Sequence, residues 1–212
     1  RPADAESLAN HAAVLNKLDR YLEIAKGEVS RLDYIISQFL QAIRPTRPER
    51  KPVSLNDLAD DTLALLAPEL DNRDITLEAH LADDLPTAPL DAAQIKQALV
   101  NLIKNAIQAM THGGTLGLTT RAEDDGVWLH VTDTGGGIAQ EKINRIFQPY
   151  FTTKEKGTGL GLMIVQRIVR EHGGRIELES HTGQGTTFRL WFPLTEHQPL
   201  RLTGGETEND HA

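Results

Sequence analysis

The strongest constraint on the fold of this chain is a seven-residue repeat of apolar side chains near its N-terminus. Two series recur at intervals of seven, the second offset by three: Leu8, Leu15, Leu22, Val29, Ile36 and Ile43, and then Leu18, Ala25, Leu32 and Phe39. Only His11 breaks the second series. Such a sustained repeat is typical of a coiled coil or a four-helix bundle. We therefore predict a long α-helix over residues 8–43 whose apolar stripe packs against partner helices.

A proline-rich stretch ends this helix. Pro45, Pro48 and Pro52 follow it closely, and proline removes a backbone donor from a helix and clashes with the preceding turn. Beyond this stretch, helical and strand-like patterns alternate up to Leu194, and the polar, Gly-rich residues that follow are typical of a disordered tail. The predicted regions are a helical region at 1–44, a linker at 45–53, an α/β domain at 54–194 and a tail at 195–212.

Within the α/β domain, hydrophobic periodicity separates helices from strands. Ser54 and Asp57 begin a helix that ends near Leu66, and Asp91 caps a longer helix that ends before a His-Gly-Gly sequence. Alternation predicts strands at 74–81, 115–122, 126–133, 174–180 and 186–194, a short helix lies at 139–147, and a last helix follows GTGLGL. Helices that alternate with strands of mixed order predict an α/β or α+β sandwich.

Composition excludes several functional classes. The chain carries 22 Lys and Arg against 30 Asp and Glu, a formal charge of −8, which disfavours a nucleic-acid surface. The absence of cysteine excludes disulfides and thiolate metal sites. No apolar run approaches the roughly 20 residues that cross a bilayer, and no signal peptide is recognisable. The chain begins with Arg1, which favours a piece of a longer protein.

Two asparagines on the long helix are candidates for ligand binding. Asn101 and Asn105 are four residues apart and therefore share one face of a helix that is otherwise largely apolar. A single Asn there is more often a structural amide, but Asn forms helices poorly and is costly to bury unpaired, so two on one face favour a ligand. An amide oxygen suits Mg²⁺, which shares its coordination with water and substrate phosphates.

Two glycine-rich stretches contain further candidates: the first follows a predicted strand, and the second opens a predicted helix without following a strand. Asp133 precedes Thr134 and three glycines, which indicates either a tight turn or a carboxylate that accepts a hydrogen bond from an exocyclic amine such as that of adenine. Lys154 precedes GTGLGL, and it is either a solvated lysine or a phosphate contact beside the amides of a helix N-terminus. The GTGLGL spacing differs from the G-x-G-x-x-G of dinucleotide-binding folds and alone would fit a flexible hinge.

Five motifs in order resemble the ATP-binding catalytic domain of sensor histidine kinases. They are NLIKNAIQA (N box), DTGGGI (first glycine box), IFQPYFTTK (F box), GTGLGL (second glycine box) and GQGTTF (third glycine element). The resemblance implies the Bergerat, or GHKL, fold, an α/β sandwich whose mixed sheet packs on helices, preceded by a long dimerising helix. It also implies ATP and Mg²⁺ as ligands and a cytoplasmic location.

The resemblance assigns roles around the nucleobase and the metal. Asn105 matches the Mg²⁺ ligand, and Asn101 matches the polar N-box residue one turn earlier, a catalytic position. Asp133 matches the adenine-binding carboxylate, with Gly135 and Gly137 shaping the pocket. Thr186 resembles the Thr that supports the adenine contact, often through a water.

Further roles follow for the phosphates. Phe147 and Phe151 match the F box that steadies an ATP lid at about 150–158, and Lys154 in this lid is expected to contact phosphate as a catalytic residue. The second glycine box is expected to bind phosphates through Gly157, Thr158, Gly159, Leu160 and Gly161. The short lid resembles that of the nitrogen-regulation-like branch of the family.

The N-terminal helix fits the same family. Its end, RLDYIISQFLQAIRP, resembles the second helix of the family's dimerising hairpin, so residues 8–43 are expected to mediate a homodimer. The phosphoacceptor His of the family lies on the first helix and is followed by an acidic residue and then a Pro. This chain lacks that signature, since His11 precedes Ala-Ala-Val. We expect the acceptor to lie outside the chain, and the receiver domain of a response regulator to be the next partner.

Three other functions agree less well with the sequence. ATPases of the gyrase and chaperone type carry a Glu where this chain has Asn101, and an amide is no general base for water, which favours transfer to an attacking His. A serine kinase of the anti-sigma type shares the ATP fold but normally lacks a helical hairpin. A non-catalytic dimerisation module is disfavoured by the intact motifs.

Overall fold

The computed structural model of the protein describes residues 15–29, 32, 36, 47–123, 125–152 and 157–195. These residues belong to two compact units. The first combines Arg1–Thr46 with Arg145–Ile164, and the second combines Arg47–Asn144 with Val165–Ala212.

The first unit contains part of the predicted N-terminal helix. Residues 15–29 form helix α1, and Leu32 and Ile36 are also helical. The heptad residues Leu15, Leu22 and Val29 are 63%, 51% and 66% exposed. Seven-residue spacing therefore leaves an apolar stripe on the surface of α1, as a helix that packs against partners requires. The other residues of the predicted helix 8–43 lie outside the described part of the chain.

The strands and remaining helices have the following bounds. The strands are β1 (Lys51–Val53), β2 (Ile75–His80), β3 (Ala88–Leu90), β4 (Gly114–Glu123), β5 (Gly126–Asp133), β6 (Arg175–His181) and β7 (Gly185–Pro193). The helices are α2 (Leu55–Asp71), α3 (Ala92–Ala109), α4 (Gln140–Ile143) and α5 (Gly161–Glu171).

The second unit is built on a mixed five-stranded sheet. Its strand order is β2-β4-β5-β7-β6, in which β2 runs parallel to β4 and the other neighbours are antiparallel. Alternate residues of β5, namely Val127, Leu129 and Val131, are buried, and α2 and α3 pack on the sheet. The apolar face of α3 supplies much of the core through Ile95, Leu99, Leu102, Ile103 and Ile107. This arrangement confirms the predicted α/β sandwich.

The sequence did not predict the short strands β1 and β3. They pair antiparallel, with Lys51 opposite Leu90 and Val53 opposite Ala88. Because β1 lies inside the predicted linker 45–53, the structure corrects that prediction: the ordered fold begins before residue 54. A three-residue strand that contains a proline carries no alternation from which it could be recognised. Helix α2 also continues beyond Leu66, and α4 is shorter than the helix predicted at 139–147.

A buried histidine joins the beginning of α3 to the end of α5. His172 is 2% exposed, its Nε2 lies 3.0 Å from the backbone N of Asp91, and its Nδ1 lies 2.8 Å from the carbonyl O of Ile168. The Asp91 N–H only donates and the Ile168 carbonyl only accepts, so the ring is neutral with its proton on Nδ1. Burial lowers the pKa of His172 below its ordinary 6.5, and the Arg50 guanidinium lowers it further.

No described helix is both long enough and apolar enough to cross a membrane. Residues 196–212, most of the predicted tail, lie outside the described part of the chain.

Candidate functional site

Helix α3 carries the two predicted asparagines. Its first turn is capped by Asp91, whose Oδ1 accepts hydrogen bonds from the N–H groups of Ala93 and Gln94 at 3.0 and 3.2 Å. Asn101 is 8% exposed, and its buried Nδ2 has no hydrogen-bond partner among the described residues. Leaving a buried donor unpaired costs about 1–3 kcal/mol. Asn101 therefore offers a donor that a bound polar group would satisfy, and Asn105 lies partly buried one turn later.

Asp133 ends β5 and is 6% exposed. Its Oδ1 accepts a hydrogen bond of 2.9 Å from the N–H of Gly135. Thr134 is fixed to β4, since its N–H donates to the Thr115 carbonyl at 3.2 Å and its Oγ1 accepts from the Thr115 N–H at 2.9 Å. The tight turn that the sequence suggested is present. A ligand role remains compatible with it, because a carboxylate accepts several hydrogen bonds.

The first glycine box is wedged between α3 and the β6–β7 turn. A Cβ on Gly135 would lie 2.7 Å from the Ala109 carbonyl O, and Gly136 donates its N–H to that oxygen at 3.2 Å. Gly137 has φ +66°, and a Cβ there would overlap the carbonyl O of His181. Glycine is required at both positions. The loop after Asp133 is thereby held one helical turn from Asn105 on α3.

Thr186, the predicted helper of the adenine contact, lies directly opposite Asp133 in the β5–β7 pair. It is 6% exposed. Directly paired residues of antiparallel strands have neighbouring Cβ atoms on the same face. Gly185, with φ +108°, allows this approach, because a Cβ there would overlap the Asp133 carbonyl O. The structure thus brings together two buried oxygen-bearing side chains that are far apart in sequence.

Sequence reasoning missed Ser180 at this site. Ser180 is 7% exposed and pairs with Thr186 across β6 and β7. Its Oγ accepts the N–H of Ile138 at 2.8 Å and lies 3.0 Å from Thr186 Oγ1. A lone Ser in an alternating strand belongs to no motif, so only the sheet register reveals it.

The F box and the second glycine box both lie in the first unit. Gly159 has φ +68°, and a Cβ there would overlap the backbone of Tyr150, itself at φ +63°. The Arg145 guanidinium lies 4.7 Å from the ring centroid of Phe151, and Leu160 donates its N–H to Thr158 Oγ1 at 3.3 Å. Both ends of the predicted lid therefore touch each other. Lys154 lies outside the described residues.

The described part of the chain contains no cluster of side chains that would bind a metal ion by themselves. No group of three or more His, Asp or Glu residues there could hold a metal ion. An ion would rely on the amide oxygen of Asn105, on a ligand's own phosphates and on water, all of which are oxygen ligands of the kind that Mg²⁺ takes. The donor set is therefore compatible with Mg²⁺.

Known proteins with similar sequences are histidine kinases and related ATPases. Residues 90–196 match the family described as histidine kinase-, DNA gyrase B-, and HSP90-like ATPase. The chain is 38% identical over 190 residues to the sensor histidine kinase ZraS of Escherichia coli strain K12, covering 90% of this chain and 41% of ZraS. It is 34% identical over 182 residues to sporulation kinase E of Bacillus subtilis strain 168, covering 85% of this chain and 25% of that kinase.

Solved structures give the same result. The nucleotide-free catalytic domain of histidine kinase ThkA is 33% identical, with a TM-score of 0.64, and the match covers 69% of this chain and 96% of that domain. Full-length ShkA in complex with AMPPNP is 29% identical with a TM-score of 0.75, covering 85% of this chain and 40% of ShkA. ThkA in complex with the response regulator TrrA is 30% identical, with a TM-score of 0.71. The match covers 84% of this chain and 52% of the ThkA chain.

The sandwich, the buried carboxylate and the glycine loops define a nucleotide-binding class of protein. The chain belongs to the histidine kinase-, DNA gyrase B- and HSP90-like ATPase family, and within it to the ATP-binding domains of sensor histidine kinases. This confirms the family resemblance of the five motifs. The chain spans less than half the length of the curated relatives ZraS and sporulation kinase E.

Proposed function

We propose that this chain binds ATP with Mg²⁺ and is the catalytic part of a cytoplasmic two-component sensor histidine kinase. The observation that carries the proposal is the pairing of Asp133 with Thr186, two buried polar residues at the end of the sheet beside the first glycine box. Buried polar groups require partners, and this pair provides oxygen acceptors that suit an exocyclic amine. The AMPPNP complex of the related ShkA supports the same ligand class.

The nucleobase is assigned to the second unit. Asp133 accepts a hydrogen bond from the adenine amino group, and Thr186 supports that contact. Gly135 and Gly137 keep the loop against α3 and the β6–β7 turn, so that the base meets backbone rather than side chains.

The phosphates and the metal are assigned to the N box, the lid and the second glycine box. Asn105 ligates Mg²⁺ through its amide oxygen, and Asn101 donates its buried, unpartnered Nδ2 to a phosphate oxygen. Lys154 and the backbone amides of Gly157, Thr158, Gly159, Leu160 and Gly161 hold the remaining phosphate charge. Backbone amides at the beginning of a helix are suited to anions. When bound, Mg²⁺ neutralises charge on the phosphates.

The proposed reaction transfers the γ-phosphoryl group of ATP to a His on a helix outside this chain. The P–O bond to the β-phosphate breaks, a P–N bond forms on the imidazole, and ADP leaves. Phosphoryl transfer depends mainly on positioning and charge stabilisation. Asn101 is no general base for water, so attack by the His is favoured over hydrolysis. The phosphoryl group then passes to the receiver domain of a response regulator, a partner class that the ThkA–TrrA complex supports.

A homodimer through residues 8–43 completes the proposal. The exposed Leu15, Leu22 and Val29 recur at heptad spacing on α1. In the longer protein this stripe packs with the first helix and with the equivalent pair of a second copy, as a four-helix bundle.

Phosphotransfer by the longer protein that includes the acceptor helix tests this function. Incubation with γ-labelled ATP should give phosphate on His, which is labile to acid and stable to base, and an added receiver domain should remove it. The present chain alone should remain unlabelled. Label on one of its own histidines, such as His11, or rapid release of inorganic phosphate without any phosphohistidine, contradicts the proposal.

A further inference from the structure

Three buried polar side chains form one row across the end of the sheet. Asp133 on β5 pairs with Thr186 on β7, and Thr186 pairs with Ser180 on β6. They are 6%, 6% and 7% exposed. Since directly paired residues share a face of the sheet, Ser180 stands behind Thr186 as seen from Asp133.

The hydrogen bonds of Ser180 determine which way the Thr186 hydroxyl donates. Ser180 Oγ accepts the N–H of Ile138 at 2.8 Å and lies 3.0 Å from the carbonyl O of Gly185 and 3.0 Å from Thr186 Oγ1. A serine hydroxyl has one proton, and the Gly185 carbonyl only accepts, so the proton of Ser180 goes to Gly185. Thr186 must then donate its own proton to Ser180. Only lone pairs of Thr186 Oγ1 remain for any other partner.

We propose that Ser180 is a specificity-determining positioning residue, which makes Thr186 an acceptor beside Asp133 and so selects purines with a 6-amino group over purines with a 6-oxo group. This inference rests on the proposed binding of a nucleotide. An ionised carboxylate also only accepts. Two acceptors match the two N–H bonds of an amino group and oppose a carbonyl oxygen.

The polarity is the same if a water lies between Thr186 and the base. That water donates to Thr186 and to Asp133, and its lone pairs then face the ligand. A protein site whose acceptors match an N–H group of the ligand discriminates strongly against an analogue without that N–H group. The acceptors of the protein are left unpaired when the analogue binds. Ser180 thus acts on the choice of base without touching the base.

The test compares dissociation constants for ATP and inosine triphosphate, which differ at the 6-position of the purine. The wild-type chain should prefer ATP. In Ser180→Ala, Thr186 regains a proton that it can donate to the 6-oxo group, so the ratio of the two constants should fall about tenfold, or roughly 1.4 kcal/mol. Ser180→Thr, which keeps the hydroxyl, should retain the wild-type ratio. Equal weakening of both nucleotides by Ser180→Ala indicates a merely structural role and overturns the inference.

Thr186→Val provides an independent result if Ser180→Ala does not fold. If Thr186 is an acceptor, Thr186→Val weakens the binding of ATP. It also removes the repulsion between Thr186 Oγ1 and the 6-oxo group of inosine triphosphate, so the preference for ATP falls. If Thr186 were instead a donor to the 6-oxo group of inosine triphosphate, valine would raise the preference for ATP, and the inference would be wrong. In the double variant, Ser180→Ala should no longer change the ratio, because its effect acts through the Thr186 hydroxyl. A wild-type chain that binds neither nucleotide overturns the proposed function together with this inference, whereas an unchanged ratio overturns the inference alone.

Discussion

Asp133 and Thr186 are direct cross-strand partners in β5 and β7, although 53 positions separate them in the chain. Gly185, just before Thr186, has no side chain, and this absence lets β7 approach the Asp133 carbonyl. The DTGGGI and GQGTTF motifs are therefore in direct contact in the folded chain. The second motif allows its strand to approach the backbone of Asp133, the residue whose carboxylate belongs to the first motif.

Replacing Asp133 should weaken nucleotide binding. Asp133→Ala removes the acceptor for the adenine amine from a buried position, and the expected loss is about 1–3 kcal/mol of binding free energy. Asp133→Asn should keep the hydrogen bond from the Gly135 N–H, and with it the turn. It places an amide donor near the adenine amine, so it should also weaken ATP binding. Calorimetry checks this, with Asp84→Ala in an exposed turn as the control. Unchanged affinity in Asp133→Ala would refute the adenine assignment.

Replacing Asn105 should uncouple nucleotide binding from the metal. The amide oxygen is the proposed Mg²⁺ ligand, so Asn105→Ala should bind ATP with the same affinity in Mg²⁺ and in EDTA, unlike the wild type. Gln108→Ala, at an exposed amide on the same helix, serves as the control and should keep the dependence. Metal dependence that survives in Asn105→Ala means that the ion is held elsewhere.

The fold of the α/β domain was largely predictable from the local hydrophobic periodicity, because most apolar residues of each pattern are buried in the core. GVWLHVTD alternates and is β5, and the apolar spacing after Asp91 is α3. β1 and β3 were missed because each has three residues and a proline. Helix α2 was predicted to end near Leu66, but it continues to Asp71 and contains Pro68.

The site was less accessible to sequence reasoning. Motifs pointed to Asp133 and Thr186 separately, and their roles remain proposals, but the register that pairs them is a long-range property. Ser180 could not be found, since its importance depends on which strand lies beside β7. The proton arrangement of its hydroxyl follows only from three contacts seen together.

The stability contributed by His172 should depend on pH. Its folded pKa lies below the ordinary 6.5 because burial disfavours the charged ring. The contribution of the neutral ring is therefore complete above pH 6.5 and is lost as the pH falls through the folded pKa. His172→Phe, which keeps the ring shape but loses both hydrogen bonds, should destabilise the chain by about 1–3 kcal/mol at pH 7.5. Urea unfolding should show this gap narrowing towards pH 5, and a gap that stays constant or widens contradicts the neutral assignment.

The apolar stripe of α1 should drive self-association. Leu22→Asp and Val29→Asp together would place two unpaired charges per chain in a helix–helix interface, which is costly, and should give monomers. Light scattering measures the mass, and the paired replacement of Lys17 and Arg20 by Asp serves as the control, because both lie outside the apolar series and away from the predicted interface. A wild-type chain that is monomeric at high micromolar concentration rules out the dimer. Nucleotide binding should persist in the monomeric variant, because the residues assigned to the base lie in the second unit.

Calorimetric titration of ATP into this chain, with and without Mg²⁺, measures the proposed nucleotide site itself. We expect one site per chain, saturable binding that Mg²⁺ strengthens, and little phosphate release during the titration. Absence of binding at millimolar ATP would contradict the nucleotide site, and hydrolysis as fast as that of a dedicated ATPase would contradict the role given to Asn101.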